Sequence, residues 1–442
     1  MIASQHQLHY PHIFNLHLLH MTKILLITIT GHDKPGLTSA FAQVLAEPKA
    51  ILLDIGQAVI HDALALGLMV RINSAANIKA VENAVQEKAR ELGVAARISH
   101  ISEEEYRDWV GKQHKQRFIV TLLAPQITAA QLAAVTTVFA AHNLNIDIMD
   151  RLSARASASH EHEPRMCIEY TISGDQVSAV QLRRTLLTLA ERTDFDIAVQ
   201  EDSIFRRNRR LVAFDMDSTL IQMEVIDELA RLAGVGEQVS AITAAAMRGE
   251  LDFDASFRKR LLLLKGLNAG ALEEVASRLP ITPGAHRLLR ALKALGYKTA
   301  ILSGGFTCFA RKLQSELGFD YVYANELSVA NGLLTGEAAG EIINGARKAE
   351  LLQQIAEQEA ISLEQTIAVG DGANDLPMLS VAGLGVAFHA KPLVRGKAEH
   401  SISRMGLDAL LYLLGLRDRH MDENNSSRFS VLGSQKAVLS SR

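Results

Sequence analysis

The sequence has 442 residues, which is too long for a single hydrophobic core, so we expect two or three domains. Hydrophobic residues make up 48% and charged residues 21% of the chain, as in an ordinary globular protein, and a formal net charge of −3 without a long basic run argues against nucleic acid as the main partner. No apolar stretch approaches the roughly 20 residues of a membrane-spanning helix, so no membrane partner is expected either.

Both ends of the chain look unlike folded domains. Residues 1–21 carry five irregularly spaced histidines around a weak apolar run without a small-residue cleavage site, which favours a disordered extension over a metal site or a signal peptide. Met21 directly precedes a strand and is the better candidate for the start of the folded protein, and the Ser-rich segment 420–442 is expected to be disordered. Cys167 and Cys308 are too few for a disulfide framework or a zinc site, which favours a reducing, cytoplasmic compartment.

The segment 22–101 has the element order strand, helix, strand, strand, helix, strand, which predicts a ferredoxin-like βαββαβ domain. The predicted strands are 23–30, 51–60, 67–72 and 96–101, and the predicted helices run to about residue 46 and over 78–92. A glycine-containing turn at 31–37 joins the first strand to the first helix, where backbone N–H groups can bind a carboxylate. A turn without any ligand is the competing interpretation.

The segment 116–202 repeats this order after a charged connector at 102–116 and predicts a second domain of the same kind. The predicted strands are 117–123, 145–152, 166–172 and 197–200, the predicted helices are 129–141 and 177–191, and a polar loop covers 153–164. The second copy has Ala124-Pro125-Gln126 in place of the glycine turn, so its role is expected to be structural.

The two copies resemble tandem ACT domains, and the first carries the turn of that family as Gly31-His32-Asp33-Lys34-Pro35-Gly36-Leu37. The resemblance implies a homodimer that binds an amino-acid effector, with serine as the expected ligand, at Asp33, Gly36 and Leu37. In this arrangement backbone N–H groups of the turn hold the carboxylate of the effector and Asp33 holds its ammonium group. Tandem domains that serve only for dimerisation are the alternative.

From 206 to 418 the sequence alternates between strands and helices, which predicts a Rossmann-like α/β domain with a parallel sheet covered on both faces. The predicted strands are 211–214, 298–302 and 367–369, and the predicted helices include 286–295 and 346–358. The segment from about 224 to 279 has helical periodicity and no clear strand, so it predicts a helical cap inserted after the first strand.

Each of the three predicted parallel strands ends in polar residues. The three motifs are Asp215-Met216-Asp217-Ser218-Thr219, Ser303-Gly304-Gly305 and Gly370-Asp371-Gly372-Ala373-Asn374-Asp375. Ligands bind at the carboxyl ends of the strands in open parallel sheets, so these side chains are expected to converge. One aspartate after a strand usually caps the next helix. Three such motifs in order, with Lys348 between the last two, indicate a catalytic site instead.

These motifs, over about residues 209 to 415, resemble the four motifs of the haloacid dehalogenase superfamily. The string Phe214 to Thr219, together with Glu224, Arg260 and Ser303 to Phe306, is similar to the branch that hydrolyses phosphoserine. The resemblance implies a haloacid dehalogenase fold with a helical cap, a phosphoserine substrate, and an aspartyl-phosphate intermediate in the final step of serine biosynthesis.

The resemblance also implies a role for each motif residue. Asp215 is the nucleophile, and Asp217 is the general acid and base. Mg²⁺ is bound by Asp215, Asp371 and the backbone carbonyl of Asp217. Ser303, Gly304 and Lys348 hold the phosphate. Asn374 and Asp375 orient the metal ligands and Lys348, and Asn374 also contacts the substrate.

The predicted cap supplies the specificity residues. Glu224 is expected to pair with the ammonium group of phosphoserine, and Arg260 with its carboxylate. Met247 and Phe253 are expected to close over the substrate and exclude water. Ordinary helix packing for Met247 and Phe253, and a solvated face for Arg260, are the competing interpretations.

The excess of acidic residues in the predicted site supports a bound metal ion. The five acidic residues of the predicted site, Asp215, Asp217, Asp371, Asp375 and Glu224, face only two basic ones, Lys348 and Arg260. A phosphate ester would be repelled unless a hard divalent cation were bound, and an oxygen-only site suits Mg²⁺.

Several other functions are compatible with parts of this pattern. A phosphatase or phosphotransferase acting on another small phosphorylated amino acid, such as phosphohomoserine, fits Glu224 and Arg260 equally well. A dehalogenase would not need Asp217, and a P-type ATPase would need membrane helices. An amino-acid-binding regulator with an inactive phosphatase domain would be plausible only if a catalytic carboxylate had been lost, and all are present.

Overall fold

The computed structural model describes residues 23–72, 78–112, 115–155, 165–175 and 177–421, except for the side chain of Met247. The predicted extension 1–21, most of the predicted tail and most of the predicted polar loop lie outside these residues. The chain forms two compact units, Met1–Lys115 and Gln116–Arg442. Within the described ranges, no helix is long and apolar enough to cross a membrane.

In the first unit, an antiparallel sheet packs one face against two helices. Its elements are β1 (Lys23–His32), α1 (Leu37–Ala46), β2 (Ile51–Ile60), β3 (Ala63–Ile72), α2 (Ile78–Leu92) and β4 (Ala95–Ile101). Alternate residues of the central strands, such as Ile27 and Leu66, are buried together with Phe41 of α1 and Val85 of α2. The strand order β2-β3-β1-β4 confirms the predicted ferredoxin-like fold.

Two details of the first unit differ from the prediction. Strand β3 begins four residues earlier than predicted, because the turn after β2 is tight and has His61 at φ 57°. The connector contains a helix, α3 (Glu103–Gly111), none of whose residues is buried. The reciprocal hydrogen bonds between Ser102 and Glu105 cap this helix, so it forms without the apolar periodicity on which the prediction depended.

The second unit begins with another ferredoxin-like segment. Its elements are β5 (Gln116–Ala124), α4 (Ala129–Ala141), β6 (Asn145–Arg151), β7 (Met166–Gly174), α5 (Ala179–Arg192) and β8 (Asp196–Glu201). The strands are antiparallel in the order β6-β7-β5-β8, the same arrangement as in the first unit. The predicted repeat is therefore confirmed, with strand ends within two residues of those expected.

A seven-stranded sheet forms the rest of the second unit, in the order β12-β11-β10-β9-β13-β14-β15. Its strands are β9 (Leu211–Phe214), β10 (Lys298–Phe306), β11 (Tyr321–Ala330), β12 (Leu333–Ala339), β13 (Thr366–Gly370), β14 (Leu384–Phe388) and β15 (His400–Ile402). All neighbours are parallel except β11 and β12, a hairpin that the sequence pattern did not predict.

Helices cover both faces of this sheet and form the cap. The cap contains α6 (Val225–Leu232), α7 (Gly236–Met247), α8 (Phe253–Leu263) and α9 (Gly270–Ala276). The remaining helices are α10 (Ala285–Ala294), α11 (Thr307–Leu317), α12 (Gly345–Gln358), α13 (Leu376–Val381), α14 (Pro392–Arg395), α15 (Leu410–Leu413) and α16 (Asp418–Met421). The predicted parallel sheet and the all-helical character of the cap segment are confirmed, and the last helix continues the folded chain to Met421.

The outer face of the second ferredoxin-like sheet is covered by the seven-stranded domain. Leu123, Cys167 and Ala198 are buried in one hydrophobic cluster with Leu410 and Leu413, the first and last residues of α15. A βαββαβ unit on its own leaves the sheet face opposite its helices open, but in the second copy the α/β domain covers that face. The second copy and the α/β domain share a core instead.

Candidate active site

The three central strands of the seven-stranded sheet bring the predicted motifs together. Strands β10, β9 and β13 are parallel neighbours, so their carboxyl ends meet at one edge. Asp215 follows β9 directly, and its backbone N–H donates to the Val369 carbonyl of β13 at 2.9 Å. Its side chain is buried. The sheet therefore places this carboxylate at the centre of the site.

Lys348 connects the first motif to the last. It lies in the first turn of α12, is fully buried, and donates from Nζ to Oδ1 of Asp215 and to Oδ1 of Asp375, each at 2.6 Å. Burial opposes the charged ammonium form, but the two carboxylates outweigh it and raise the pKa of Lys348 above its ordinary range. The lysine is thus a permanent cation at the base of the site.

A cluster of three carboxylates forms the candidate metal centre. One oxygen each of Asp215, Asp371 and Asp375 lies within 4.8 Å of the other two. Burial, reinforced by mutual repulsion, raises the pKa of Asp215 to about 7 and that of Asp371 to about 8. A hard divalent cation would relieve this repulsion, and oxygen ligands alone are what Mg²⁺ or Ca²⁺ prefers. The residues present therefore fit a metal of this class.

The environment of Asp217 differs from that of Asp215. Its Oδ1 atom is buried and accepts no hydrogen bond from any residue that the structure describes. Burial, followed by the charges of Glu224 and Asp215, raises its pKa well above the usual value. A Cβ on Gly305 would lie 2.8 Å from Asp217 Oδ2, so only glycine leaves room for this carboxyl. Asp217 is therefore a buried carboxyl group suited to carrying a proton.

The Ser303–Gly304 segment is held by a residue that the motif analysis missed. Asn325, buried in β11, donates from Nδ2 to the Gly304 carbonyl at 2.8 Å and accepts from the Ile343 backbone N–H at 2.9 Å. Ser303 is buried, and its Oγ accepts the Gly305 N–H at 2.9 Å. Asn325 lies in a strand that the sequence pattern did not predict, so no sequence signal pointed to this contact.

The cap lies directly over this segment. A Cβ on Gly304 would be 2.9 Å from Cζ of Phe253, the first residue of α8. The Phe253 ring stacks on Phe257 at 6.1 Å between centroids, and Phe257 packs in turn against Phe306 at the end of β10. Phe253 therefore lies against the Ser303–Gly304 segment. Met247 ends α7, and its side chain lies outside the described part of the structure.

Glu224 and Arg260 form the charged part of the cap. Glu224 accepts a hydrogen bond from Ser218 Oγ at 2.8 Å, and Ser218 adopts φ 58°, a strained value for a residue with a side chain. Desolvation by the surrounding protein raises the pKa of Glu224, and the charge of Arg260 partly offsets this rise. Burial lowers the pKa of Arg260, and its Nε has no hydrogen-bond acceptor among the described residues. The Nε atom of Arg260 is therefore a buried donor with room for a further hydrogen-bond acceptor.

Three side chains shape the last motif. Thr219 Oγ1 donates to Asp371 Oδ1 at 3.1 Å, which orients a candidate metal ligand. Asp375 Oδ2 accepts the Gly372 N–H at 2.9 Å and so closes the loop on itself. Asn374 is half-buried in this loop, and its Oδ1 lies 2.2 Å from the position of a Cβ on Gly372. The motif therefore forms a compact turn beside the carboxylate cluster.

The candidate effector turn belongs to the first unit. Gly36 precedes α1 with φ 94°, and a Cβ there would meet open space, so the left-handed backbone rather than crowding requires glycine. The backbone N–H of Asp33 donates to the Asp62 carbonyl at 2.7 Å. Leu37 is buried, so only its backbone could contact a ligand.

Comparison with known proteins identifies both parts of the chain. A family model described as haloacid dehalogenase-like hydrolase matches residues 212–380, and one described as ACT domain matches residues 23–99. A phosphoserine phosphatase of Streptomyces coelicolor is 40% identical over 393 residues, which is 89% of this chain and 92% of the relative. A phosphoserine phosphatase of Mycobacterium tuberculosis is 39% identical over 393 residues, 89% of this chain and 93% of the relative. The crystal structure of a hydrolase of the same superfamily from Salmonella enterica serovar Typhi has a TM-score of 0.59 at 35% identity, and the match covers 67% of this chain and 98% of that one.

Proposed function

Because the chain belongs to the phosphoserine phosphatases of the haloacid dehalogenase-like hydrolase family, we propose that it hydrolyses O-phosphoserine to serine and phosphate, the last step of serine biosynthesis. The observation that carries this proposal is the buried constellation of Asp215, Lys348 and Asp375 beside the unpartnered carboxyl of Asp217. Two free cysteines, Cys167 and Cys308, support a cytoplasmic location.

Asp215 and Asp371, with the backbone carbonyl of Asp217, would hold the metal ion, for which we propose Mg²⁺. Asp375 lies in the same carboxylate cluster but is already bonded to Lys348 and the Gly372 N–H, so it would support the site rather than act as a ligand. When bound, Mg²⁺ supplies positive charge that offsets the repulsion between the carboxylates and the phosphate dianion.

In the first half of the reaction, Asp215 is the nucleophile. Its carboxylate oxygen attacks phosphorus, a bond from Asp215 to phosphorus forms, and the bond from phosphorus to the serine oxygen breaks. Asp217 gives its proton to the departing oxygen, a role that its raised pKa and missing hydrogen-bond partner support. Lys348 uses two of its three N–H groups on carboxylates, which leaves the third for a phosphate oxygen.

In the second half, the oxygen of a water molecule attacks the phosphorus carried by Asp215, and a bond from this oxygen to phosphorus forms. Asp217, now ionised, takes a proton from the water, and the bond between Asp215 and phosphorus breaks to release phosphate. Ser303 and the Gly304 N–H would bind the non-bridging oxygens in both steps. Asn325 contributes by holding the Gly304 carbonyl and thereby the direction of this segment. Asn374 would provide a further contact with the substrate.

Substrate selection belongs to the cap. The carboxylate of the substrate would accept a hydrogen bond from Nε of Arg260, which has no acceptor among the described residues. Glu224 would bind the ammonium group of the substrate. Phe253 and Met247 would cover the bound molecule and exclude water. The stacked pair of Phe253 and Phe257 supports a rigid cover on this side.

Hydrolysis assays with a panel of phosphorylated amino acids test the function directly. Purified protein with Mg²⁺ should release phosphate from phosphoserine faster than from phosphothreonine or phosphohomoserine. Excess EDTA should stop the reaction, and Ca²⁺ should support it poorly because calcium favours more ligands and looser geometry. Full activity in EDTA, or preference for phosphohomoserine, would refute the proposal as stated.

Arg260→Ala is expected to impair phosphoserine hydrolysis by about 100-fold in kcat/KM but to affect p-nitrophenyl phosphate by less than about threefold. Only phosphoserine offers a carboxylate, and loss of a charge-assisted bond in a closed site costs a few kcal/mol. Lys259→Ala, at the exposed neighbouring position, is the matched control and should leave both substrates unaffected. Equal losses on both substrates would show that Arg260 only supports the cap.

We further propose that the first unit makes the protein a homodimer. Strand β2 forms one edge of its sheet and exposes large apolar side chains at Ile51, Ile55, Val59 and Ile60. An apolar sheet edge of this kind is usually covered by another chain, and a second copy is the simplest cover. The mass of the protein in solution tests this directly.

The turn in the first unit is proposed to bind serine as a feedback inhibitor. Serine should inhibit the intact chain, whereas Asp33→Ala and a shortened chain beginning at Gln116 should respond only at higher serine concentrations, by about 5- to 100-fold. The readout is the serine concentration that halves activity. If all three proteins respond alike, serine acts as a product in the catalytic site, and the unit serves only for dimerisation.

A further inference from the structure

A fourth strand of the sheet also ends at the active site. Strand β14 lies beside β13, and Gly370 is paired with Ala387, so the end of β14 is level with Asp371. The three residues that follow Phe388 lead to Lys391, which immediately precedes α14. The parallel sheet thus brings Lys391 to the edge at which Asp215, Ser303 and Asp371 emerge.

The charge of Lys391 acts on the cap side of the site. It opposes the rise in the pKa of Glu224 that burial causes. Lys391 itself is exposed to solvent. It differs in this from Lys348, which is fully buried below the nucleophile. Lys348 therefore lies at the base of the site, and Lys391 lies at the solvent-exposed edge that the strand ends form.

The loop that carries Lys391 is held in place from two sides. His389 adopts φ 46°, and its backbone N–H donates to the Ile402 carbonyl at 2.7 Å, while its Nε2 bonds the Met405 carbonyl at 2.9 Å. The segment after Ile402 is itself fixed by Asp196 of β8, whose Oδ2 accepts the backbone N–H groups of Ser403 and Arg404 at 2.7 and 2.8 Å. The strained backbone of His389 and these hydrogen bonds indicate that the loop has a single fixed conformation.

A cation at the edge of the site would offset the repulsion between the anionic substrate and the carboxylates of the site. Phosphoserine carries a net charge of about −2 at neutral pH, from a phosphate dianion, a carboxylate and an ammonium group. It must enter a site lined by the carboxylates of Asp215, Asp371 and Glu224. Charges at the mouth of a cleft raise the rate of encounter with a substrate of opposite charge.

We propose, on the basis of the proposed phosphatase function, that Lys391 attracts anionic phosphate monoesters into the site from its solvent-exposed edge. The attraction acts on the phosphate dianion, so it favours phosphate monoesters in general and is independent of the carboxylate contact assigned to Arg260. It affects capture of the substrate and leaves the chemical steps on Asp215 unchanged.

The test compares Lys391→Gln, Lys391→Arg and Lys397→Gln with the wild-type protein. Lys397 is an exposed lysine beyond α14 and serves as the matched control. At low ionic strength, Lys391→Gln should lower kcat/KM three- to tenfold for both phosphoserine and p-nitrophenyl phosphate, through KM, with kcat within about twofold. Lys391→Arg and Lys397→Gln should behave as wild type. Added salt should lower the wild-type kcat/KM more steeply than that of Lys391→Gln, because salt screens the attraction.

Each alternative outcome has a distinct meaning. An unchanged kcat/KM with an unchanged salt dependence in Lys391→Gln overturns the role. A lower KM in the variant overturns it as well, because Lys391 would then compete with the substrate ammonium group for Glu224. A loss confined to phosphoserine would assign Lys391 to a direct contact with the amino-acid part and refute attraction through phosphate. A wild-type protein that does not hydrolyse phosphoserine refutes the proposed function itself.

Discussion

Asp215→Asn is expected to lower kcat for phosphoserine by about 10⁴-fold or more and to abolish covalent labelling of the protein. The amide has nearly the same shape as the carboxylate but cannot act as the nucleophile. Lys348 keeps its hydrogen bond to Asp375, so its charge remains compensated and the fold should survive. Beryllofluoride binding or borohydride trapping of the aspartyl phosphate, followed by peptide mapping, locates the reactive carboxylate.

The control for Asp215→Asn is the same substitution at Asp202, an exposed residue just after β8, which should retain full activity and labelling. Thermal unfolding of both variants separates loss of chemistry from loss of structure. Trapping of phosphate on another residue, or substantial turnover by Asp215→Asn with wild-type stability, would contradict the assignment of the nucleophile.

The strand-end motifs show how far sequence alone could locate the site. Asp215, Ser303 and Asp371 each follow a short apolar run, and parallel strands bring such ends together whatever the loops do. The predicted convergence therefore required only the strand pattern. Lys348, by contrast, lies in a helix, and its position in the sequence could not reveal that it bonds two carboxylates at 2.6 Å. That pairing depends on how α12 packs against the sheet.

The residues that the sequence analysis missed depend on contacts between distant segments. Asn325 lies in a strand far from the Ser303 motif, and only the pairing of β10 with β11 brings it to the Gly304 carbonyl. Lys391 follows a strand that carries no recognisable motif. Ser218 donates a hydrogen bond to Glu224 from a left-handed backbone conformation. The sequence does not reveal this conformation, because only glycine commonly adopts it.

The element predictions failed where apolar periodicity does not control the structure. Helix α3 exposes all of its residues and depends on the capping box of Ser102 and Glu105, a signal present in the sequence but not used. The covered face of the second ferredoxin-like sheet also had a signal. The run 118–124 in β5 is almost continuously apolar, and such a strand is typical of a sheet buried on both faces.

The covered face predicts a sharp difference between two shortened chains. Arg206 is buried and forms an ion pair with Glu169 of β7, and Gln200 of β8 donates to the Leu413 carbonyl at 2.9 Å. A chain that begins at Gln116 keeps these contacts and should stay folded and active. A chain that begins at Arg206 loses the partner of a buried charge, which alone costs about 3–5 kcal/mol, and also exposes the apolar face that packs around Leu413.

Whole domains are stable by only about 5–15 kcal/mol, so the chain that begins at Arg206 should aggregate or lose most of its activity. The chain that begins at Gln116 should unfold at nearly the same temperature as the intact protein. Glu169→Gln tests the same interface in the full chain and should lower the free energy of unfolding by about 3 kcal/mol. Glu201→Gln, at the exposed end of β8, is the matched control and should change it little. Denaturant titrations of both variants give the comparison. A soluble chain from Arg206 with full activity and unchanged stability would show that the second ferredoxin-like segment is dispensable for the α/β domain.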